Sequence, residues 1–289
     1  MDNRVKPHVP VLLAEVIHAL APKGGGKYID GTVGAGGHAE ALLNAAAPDG
    51  KLLGLDGDAE ALRIARETLR PFGERAILIR SNFTRLEMVA AEQHWIPCDG
   101  ALLDFGLSSM QLANPARGFS FQSETLDMRM DDRAELTAAE IVNTWDEAAL
   151  ADLIYLYGEE RLARKIARLI CEQRPFHSAQ SLANAIERGV GRRGKIHPAT
   201  RAFQALRLAV NHELENIETV LPQLERVVGP GGRVALITFH SLEDRIVKNF
   251  FKTNAAWRNL TKHPLQPTYQ QTRENPRARS AKLRVAERL

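Results

Sequence analysis

The sequence is poor in cysteine and has no long apolar run. Cys98 and Cys171 are the two cysteines among 289 residues, too few for a disulfide framework, and no Cys/His cluster predicts a metal site. The longest apolar stretches, such as Val9 to Leu20, are interrupted by charged or polar residues and fall short of the roughly 18 to 20 apolar residues that span a bilayer. The first residues also lack the apolar segment of a secretory signal. These absences predict a cytoplasmic protein with no membrane partner.

The net charge of +3 hides an uneven distribution. Residues Arg188 to Arg207 carry +6 without any acidic residue, Arg273 to Leu289 carry +4, and the other 252 residues carry −7. Two basic segments on an otherwise acidic chain are typical of a phosphate-binding surface. A solvated charged face explains a single cluster of this size equally well.

Short apolar runs alternate with helix-forming stretches, which predicts βαβ units and a parallel sheet covered by helices. A predicted antiparallel pair near Ala256 to Thr261 and Ala281 to Glu287 closes the sheet. The five parallel strands are predicted at Tyr28 to Asp30, Leu52 to Asp56, Ala76 to Ile79, Gly100 to Asp104 and Arg233 to Phe239.

A helical region interrupts this alternation after the fourth strand. Thr137 with Glu140, and Thr144 with Glu147, have the spacing of capping boxes that open helices. We therefore expect a mostly helical domain, residues 111–211, inserted into a sheet domain formed by residues 1–110 and 212–289. Because open α/β sheets bind ligands at the carboxyl ends of their strands, the insertion is expected to overhang the active site.

A glycine-rich loop follows the first predicted strand. Gly34, Gly36 and Ala39 satisfy the pattern G-x-G-x-x-G/A, and Asp56 ends the next strand 22 residues after Gly34. This is the spacing of a nucleotide-binding loop with its ribose-binding acid. A purely structural turn is the alternative for the loop alone.

Carboxylates crowd the same predicted edge of the sheet. Asp30, Asp56 and Asp104 end three strands, with Asp58 and Glu60 close behind. These charges oppose a pyrophosphate at the loop. They suit S-adenosylmethionine, which has no phosphate and bears a positive sulfonium.

Polar groups also converge after the fourth strand, between Asp104 and Gln111. Asp104 is a candidate for contact with a substrate base, whereas Ser108 or Ser109 can equally cap the following helix. Phe83, which follows the third strand, is expected either beside the adenine ring or in the core.

Eight segments spread over nearly the whole chain carry the motifs of a known family. They are Pro10 to Glu15, Tyr28 to Thr32, Gly34 to His38, Asp104 to Gln111, Arg117 to Phe121, Leu126 to Asp131, His240 to Arg245 and Asn275 to Arg284. In these segments the sequence resembles the MraW/RsmH family of bacterial methyltransferases. Phe105 and Met110 depart from the residues usual in that family, Leu and Pro, without removing a polar group.

The resemblance implies an α/β fold, with a Rossmann-like class I methyltransferase sheet and an inserted, mostly helical domain that helps to recognise RNA. It implies S-adenosylmethionine as cofactor, N4 of a cytidine in 16S rRNA as methyl acceptor, and the 30S subunit as partner. The oligomeric state stays open, a homodimer included. The implied cofactor-binding residues are Gly36, Gly37, His38, Asp56, Phe83, Asp104 and Gln111.

The mechanism expected from this resemblance centres on Asp104, which accepts a hydrogen bond from the cytosine amine. With an ordinary pKa of about 3.9 it is a weak base, so we expect it to orient the amine and stabilise charge. The target base is expected to be splayed out of the RNA. Phe119, near Arg129, either stacks on a base or lies on the buried face of a small hairpin.

His240 and Arg245 follow the fifth strand and are candidates for RNA contacts. Their alternative is a helix start held by Ser241. Both basic segments are expected to grip the RNA backbone, although Lys282 to Val285 also alternates like an edge strand protected by its charges. An NAD-dependent oxidoreductase and a non-catalytic RNA-binding module are the competing functions.

Overall fold

The computed structural model describes residues 10–192, 194 and 196–289, apart from the side chains of Ser109 and Ala113. Its contacts divide the chain into two compact units. One comprises the described residues up to Gly106 and those from Leu214 onward, and the other is Leu107–Glu213. Arg193 and Lys195, which belong to the basic segment of the insertion, lie outside the described residues.

The first unit is built on one mixed sheet. Its strands are β1 Lys27–Asp30, β2 Lys51–Asp56, β3 Ala76–Arg80, β4 Cys98–Asp104, β5 Val228–Thr238, β6 Trp257–Asn259 and β7 Lys282–Arg288. Its helices are α1 Leu13–Leu20, α2 Gly37–Ala45, α3 Ala59–Leu69, α4 Leu86–Glu92, α11 Glu213–Val227, which begins at the last residue of the other unit, α12 Ser241–Thr253 and α13 Tyr269–Glu274. The second unit contains α5 Ser109–Ala113, α6 Ala138–Thr144, α7 Glu147–Gly158, α8 Ala163–Gln173, α9 Ala179–Val190 and α10 Thr200–Asn211.

The strand order is β3-β2-β1-β4-β5-β7-β6. Strands β1 to β5 are mutually parallel, and β7 runs antiparallel to both β5 and β6. The order reverses between β1 and β4, the position at which open α/β sheets form a ligand crevice. The predicted fold class is confirmed, including the antiparallel pair at the C-terminal side.

Both faces of the sheet are buried, which explains why the strands read as continuous apolar runs. Leu53 and Leu103 pack into the apolar cluster on one face, whereas Leu52 and Leu102 pack into the cluster on the other. Neighbouring residues therefore serve opposite faces, as the period of two along a strand requires. These two clusters hold the strand ends that carry the acidic residues in fixed positions.

The C-terminal strand β7 lies inside the sheet, between β5 and β6. The explanation of its basic residues as protection of an edge strand is therefore wrong. Arg284, whose side chain is 5% exposed, donates to Asp244 of α12 at 2.6 Å, and Lys282 pairs with the same carboxylate at 3.4 Å. These charges attach β7 to α12.

The helical unit has its own apolar core, to which helices from α6 to α10 contribute. Thr137 caps α6, because its hydroxyl accepts from the N–H of Glu140 at 3.1 Å. The capping box predicted at Thr144 is wrong, since this residue ends α6 and its hydroxyl donates to the Glu140 carbonyl. Asp146 caps α7 instead, accepting from the N–H of Ala149 at 2.8 Å.

Among the described residues, no helix is both long and apolar enough to cross a membrane.

Candidate active site

The loop between β1 and α2 has a backbone that requires glycine. Gly36 has φ +90°, and a methyl group there would lie 3.4 Å from the Cα of Ala65. At Gly37, where α2 begins, an added Cβ would lie 2.5 Å from Cγ of Pro10. Gly36 is buried and Gly37 half-buried, so both positions pack closely against neighbouring residues and favour glycine.

Asp56 connects the end of β2 to this loop. Its Oδ2 accepts from the N–H of Gly34 at 2.9 Å, and its Oδ1 accepts from the N–H of Asp58 at 2.8 Å. Asp58 in turn caps α3 by accepting from the N–H of Glu60 at 3.0 Å. Two backbone donors thus fix the orientation of the half-buried Asp56 carboxylate.

Asp30 ends β1 in an almost fully buried position, 1% exposed. Its Oδ1 accepts from the N–H of Thr32 at 3.1 Å, whereas its buried Oδ2 has no hydrogen-bond partner in the described structure. Burial raises the pKa of Asp30 to about 7 against the hydrogen bond from Thr32, and the charges of Asp104 and Asp56 raise it further. A buried carboxyl group of this kind is either protonated or compensated by a cation.

Asp104 ends β4, next to β1. Its N–H donates to the hydroxyl of Thr32 at 2.7 Å, and its Oδ1 accepts from the N–H of Gly106 at 3.2 Å. Burial raises the pKa of Asp104 to about 7, opposed by the Gly106 hydrogen bond and reinforced by the charge of Glu243. The expectation of a weakly basic carboxylate with an ordinary pKa is therefore wrong.

Two residues of this region were not among the predicted site residues. Thr32 contacts the backbone of Asp104 and donates its own N–H to Asp30, so it joins the ends of β1 and β4. Glu243 is fully buried, and its Oε2 accepts from the N–H groups of Phe239 and His240 at 2.6 and 3.2 Å. The available signals were the position of Thr32 just after a strand-ending acid and the acid within the HSLEDR motif.

Phe83 packs against the apolar cluster on one face of the sheet, whereas His38 belongs to α2, which packs on the other. Phe83 follows β3 and is half-buried, with its ring 5.6 Å from that of Phe105 in an edge-on arrangement. His38, in the first turn of α2, is 8% exposed, and its Nε2 lies 2.9 Å from the carbonyl oxygen of Val11. The imidazole thereby fastens the chain that precedes α1 to the loop.

Gln111 belongs to the helical unit. It forms a reciprocal capping box with Ser108, in which Gln111 Oε1 accepts from the N–H of Ser108 and the Ser108 hydroxyl accepts from the N–H of Gln111, both at 3.1 Å. The structural interpretation of Ser108 as a helix cap is confirmed. Gln111 is 8% exposed.

Phe119 and Arg129 are engaged within the helical unit. Phe119 lies in the apolar core, and the structure assigns no strand to the segment around it, so the predicted hairpin is wrong. Arg129 donates to Asp127 and to the carbonyl of Ala134 at 2.7 Å. This packing favours structural roles for both side chains over stacking or direct contact with a base.

His240 and Arg245 lie at the start of α12. The predicted helix start is present, but its cap is His240 and not Ser241: Nδ1 of His240 accepts from the N–H of Glu243 at 3.4 Å. Nε2 of His240 lies 3.0 Å from Oε1 of Glu243. Both ring nitrogens therefore face the first turn of the helix, whereas Arg245 is exposed.

Acidic residues lie at the strand ends of the first unit, next to the glycine loop. Asp30, Asp56 and Asp104 end three adjacent parallel strands, β1, β2 and β4, at the same edge of the sheet. Such an edge can receive a nucleoside that carries positive charge, and it repels an anion. Asp104, with a pKa near neutrality, can exchange a proton there.

Comparison with known proteins identifies the family. The sequence profile of the MraW methylase family matches residues 5–289. The chain is 47% identical over 303 residues to ribosomal RNA small subunit methyltransferase H of Dehalococcoides mccartyi strain 195, covering 98% of this chain and 87% of the relative. It is 49% identical to proteins of the same name from Trichormus variabilis, covering 97% and 92%, and from Nostoc sp. PCC 7120, covering 100% and 95%. This chain therefore belongs to the MraW methylase family.

Proposed function

We propose that this chain uses S-adenosylmethionine to methylate N4 of a cytidine in 16S rRNA of the small ribosomal subunit. Membership of a methylase family supports methyl transfer. The names of the relatives support ribosomal RNA of the small subunit as the acceptor. The choice of N4 follows the resemblance of the sequence motifs to the MraW/RsmH family.

One observation carries the choice of cofactor, the buried Oδ2 of Asp30 without a hydrogen-bond partner in the described structure. Together with Asp56 and Asp104 it makes the edge of the sheet suited to a cation. The ammonium and sulfonium groups of S-adenosylmethionine are cationic, whereas the pyrophosphate of NAD is anionic. The alternative of an NAD-dependent oxidoreductase is unsupported, because the chain belongs to a methylase family.

The residues present fit the cofactor. Gly36 and Gly37 let the loop turn tightly against α3 and Pro10, and we assign the carboxylate of Asp56, which accepts from the N–H of Gly34, to the ribose hydroxyls. We assign Phe83 to the adenine ring, His38 to the architecture of the loop and Gln111 to a cofactor contact. When bound, the cofactor supplies an electrophilic methyl group on sulfur.

Asp104 acts on the methyl acceptor. The cytosine amine is delocalised into the ring, so a carboxylate that accepts its N–H directs the nitrogen lone pair toward the methyl group. Transfer forms an N–CH₃ bond, breaks the S–CH₃ bond and releases one amine proton. Because burial raises the pKa of Asp104 to about 7, this carboxylate can accept that proton near neutral pH.

We assign RNA recognition to the helical unit, residues 107–213, and to the exposed Arg245 of α12. Phe119 packs in the apolar core, Arg129 forms an ion pair with Asp127, and His240 caps α12. In this proposal the three residues therefore stabilise the elements that bind RNA. Arg188, Arg192 and Arg201 of the basic segment retain partial or full exposure, as a phosphate-binding surface requires.

The test is methylation of 30S subunits from cells that lack this gene. Purified protein is incubated with methyl-labelled S-adenosylmethionine and these subunits, and the labelled nucleoside is identified by mass spectrometry after digestion. Label in N4-methylcytidine supports the proposal. Label in another nucleoside contradicts the assignment of the acceptor atom, and a folded, cofactor-binding protein that transfers no label contradicts the substrate and leaves the non-catalytic RNA-binding module as the better interpretation.

A further inference from the structure

The segment between β6 and β7, residues 260–281, exposes unpaired positive charge. Arg273 lies in the last turn of α13, and Arg277 and Arg279 belong to the 3₁₀ turn Pro276–Ser280. All three side chains are exposed. Within the part of the chain that the structure describes, none of the three guanidinium groups forms an ion pair. The segment itself contains a single acidic residue, Glu274.

The arginines of the adjoining strands behave differently. Arg284 of β7 pairs with Asp244 at 2.6 Å, Arg288 lies 4.0 Å from Glu225, and Arg258 of β6 pairs with Glu287. The positive charge of the C-terminal segment is therefore divided. The strands use their arginines to hold the fold together, and the connecting segment leaves its arginines for an external anion.

An aromatic ring accompanies these charges. Tyr269 is 80% exposed and opens α13, four residues before Arg273, so the two side chains share one face of the helix. An exposed aromatic ring beside guanidinium groups is the combination that binds single-stranded nucleic acid, by stacking on a base while the cations contact phosphates.

Contacts with α1 and with an apolar cluster of the sheet unit anchor this segment. Thr268 and Gln271 form a capping box at the start of α13, and Gln271 Nε2 donates to Glu15 of α1 at 2.9 Å. Ala278, between the two arginines of the 3₁₀ turn, is 2% exposed and packs into an apolar cluster of the sheet unit. Such anchoring lowers the entropic cost of binding, because the backbone is already ordered.

Strand pairing places this segment beside the proposed methylation site. Asp104 is the register partner of Ile237 in β5, and the next residue, Thr238, is the partner of Lys282, where β7 begins. The 3₁₀ turn ends at Ser280, two residues before that pair. The segment that carries the exposed arginines therefore joins β7 at the edge of the sheet where Asp104 lies.

We propose that Tyr269, Arg273, Arg277 and Arg279 form a binding surface for single-stranded RNA, which holds nucleotides flanking the target cytidine. The surface rests on the proposed function for its biological substrate. The contacts themselves are to phosphates and to a base face, so they are independent of sequence.

The experiment compares two triple variants of the full-length protein. In the test variant, Arg273, Arg277 and Arg279 are replaced by glutamine. In the control variant the same substitution is made at Arg63, Arg66 and Arg70, which are exposed on and just after α3, a helix that packs on β2 and β3 in the other half of the sheet. Both variants lose equal charge, and their melting temperatures and S-adenosylmethionine affinities are measured first.

Binding is measured with polyuridylate across a range of salt concentrations, and methylation with 30S subunits. Loss of three phosphate contacts is expected to make the slope of log K against log salt shallower by about 2, since each contact to a single strand contributes about 0.7. At about 0.1 M salt this corresponds to about 100-fold weaker binding. The test variant is also expected to have a raised KM for 30S subunits with little change in kcat, and the control variant is expected to resemble the wild type.

Equal effects of the two triple variants on slope and KM would overturn the proposal. Tyr269 provides a separate test, since Tyr269→Phe retains a stacking ring and Tyr269→Ala removes it. The alanine variant is expected to bind polyuridylate about fivefold or more weakly than the phenylalanine variant, and equal affinities would contradict the stacking role. Failure of the wild type to methylate 30S subunits would reject the proposed function, whereas the polyuridylate result tests the surface independently.

Discussion

The hydroxyl oxygen of Thr32 accepts a hydrogen bond of 2.7 Å from the backbone N–H of Asp104. The contact joins the glycine loop after β1 to the end of β4, across the point where the strand order reverses. A single side chain thereby sets the position of the proposed catalytic carboxylate relative to the cofactor loop.

Thr32→Val is expected to lower both stability and kcat. The isosteric change leaves the N–H of Asp104 without its acceptor, which costs about 1–3 kcal/mol for a group removed from water. Thr32→Ser keeps the hydroxyl and is the matched control. Melting temperature and methylation kinetics of the two variants check this, and a valine variant as active as the serine variant would show that the hydrogen bond does not position Asp104.

Asp104→Asn is expected to reduce kcat by about 100-fold or more, because the amide cannot accept the amine proton. The fold should be retained, since asparagine keeps an acceptor for the N–H of Gly106. The measurement is single-turnover methylation of 30S subunits, with circular dichroism and cofactor binding as controls. Near-normal turnover by the folded variant would exclude Asp104 as the proton acceptor.

Asp30→Asn is expected to change how the stability of the cofactor-free protein depends on pH. Burial raises the pKa of Asp30 from an ordinary 3.8 to about 7, so the folded wild type binds more protons than the unfolded chain between these values. The free energy of unfolding of the wild type therefore falls as pH rises through this window, by about 1.4 kcal/mol for each unit of pKa difference.

The asparagine variant lacks this titration and is expected to exceed the wild type in melting temperature above about pH 7, with no gain below about pH 4. It should also bind S-adenosylmethionine more weakly, because a cation loses its carboxylate partner. Thermal unfolding of both proteins over this pH range provides the test. Parallel pH profiles would mean that Asp30 titrates normally in the folded chain.

Gly36→Ala is expected to abolish cofactor binding, and Gly231→Ala is its matched control. Both glycines have positive φ, +90° and +77°, so alanine strains the backbone at each by about 1 kcal/mol. A Cβ at Gly231 meets nothing within 4 Å, whereas one at Gly36 meets α3 and occupies the cofactor loop. Isothermal titration with S-adenosylmethionine separates the two variants, and equal affinities would remove Gly36 from the cofactor site.

Local patterns were sufficient to predict the parallel sheet and the glycine loop. The strands are continuous apolar runs because both faces of the sheet are buried, and the glycines of the loop lie between a predicted strand and a predicted helix. Helix ends were less predictable. Thr144 has the spacing of a cap, yet Asp146 two residues later performs that role, since which of two nearby acceptors caps a helix depends on where the preceding helix ends.

The sequence by itself determined the fold class, the family and the strand-end position of Asp30, Asp56 and Asp104, because each follows from neighbours along the chain. Only the tertiary structure decided the chemical state of Asp30 and Asp104, since the pKa of about 7 of each depends on burial and, for Asp104, on Glu243, which is remote in sequence. It also decided which basic residues are available to RNA. Arg284 and Arg279 look alike in the sequence, but packing of β7 against α12 pairs Arg284 with Asp244, whereas Arg279 is exposed to solvent.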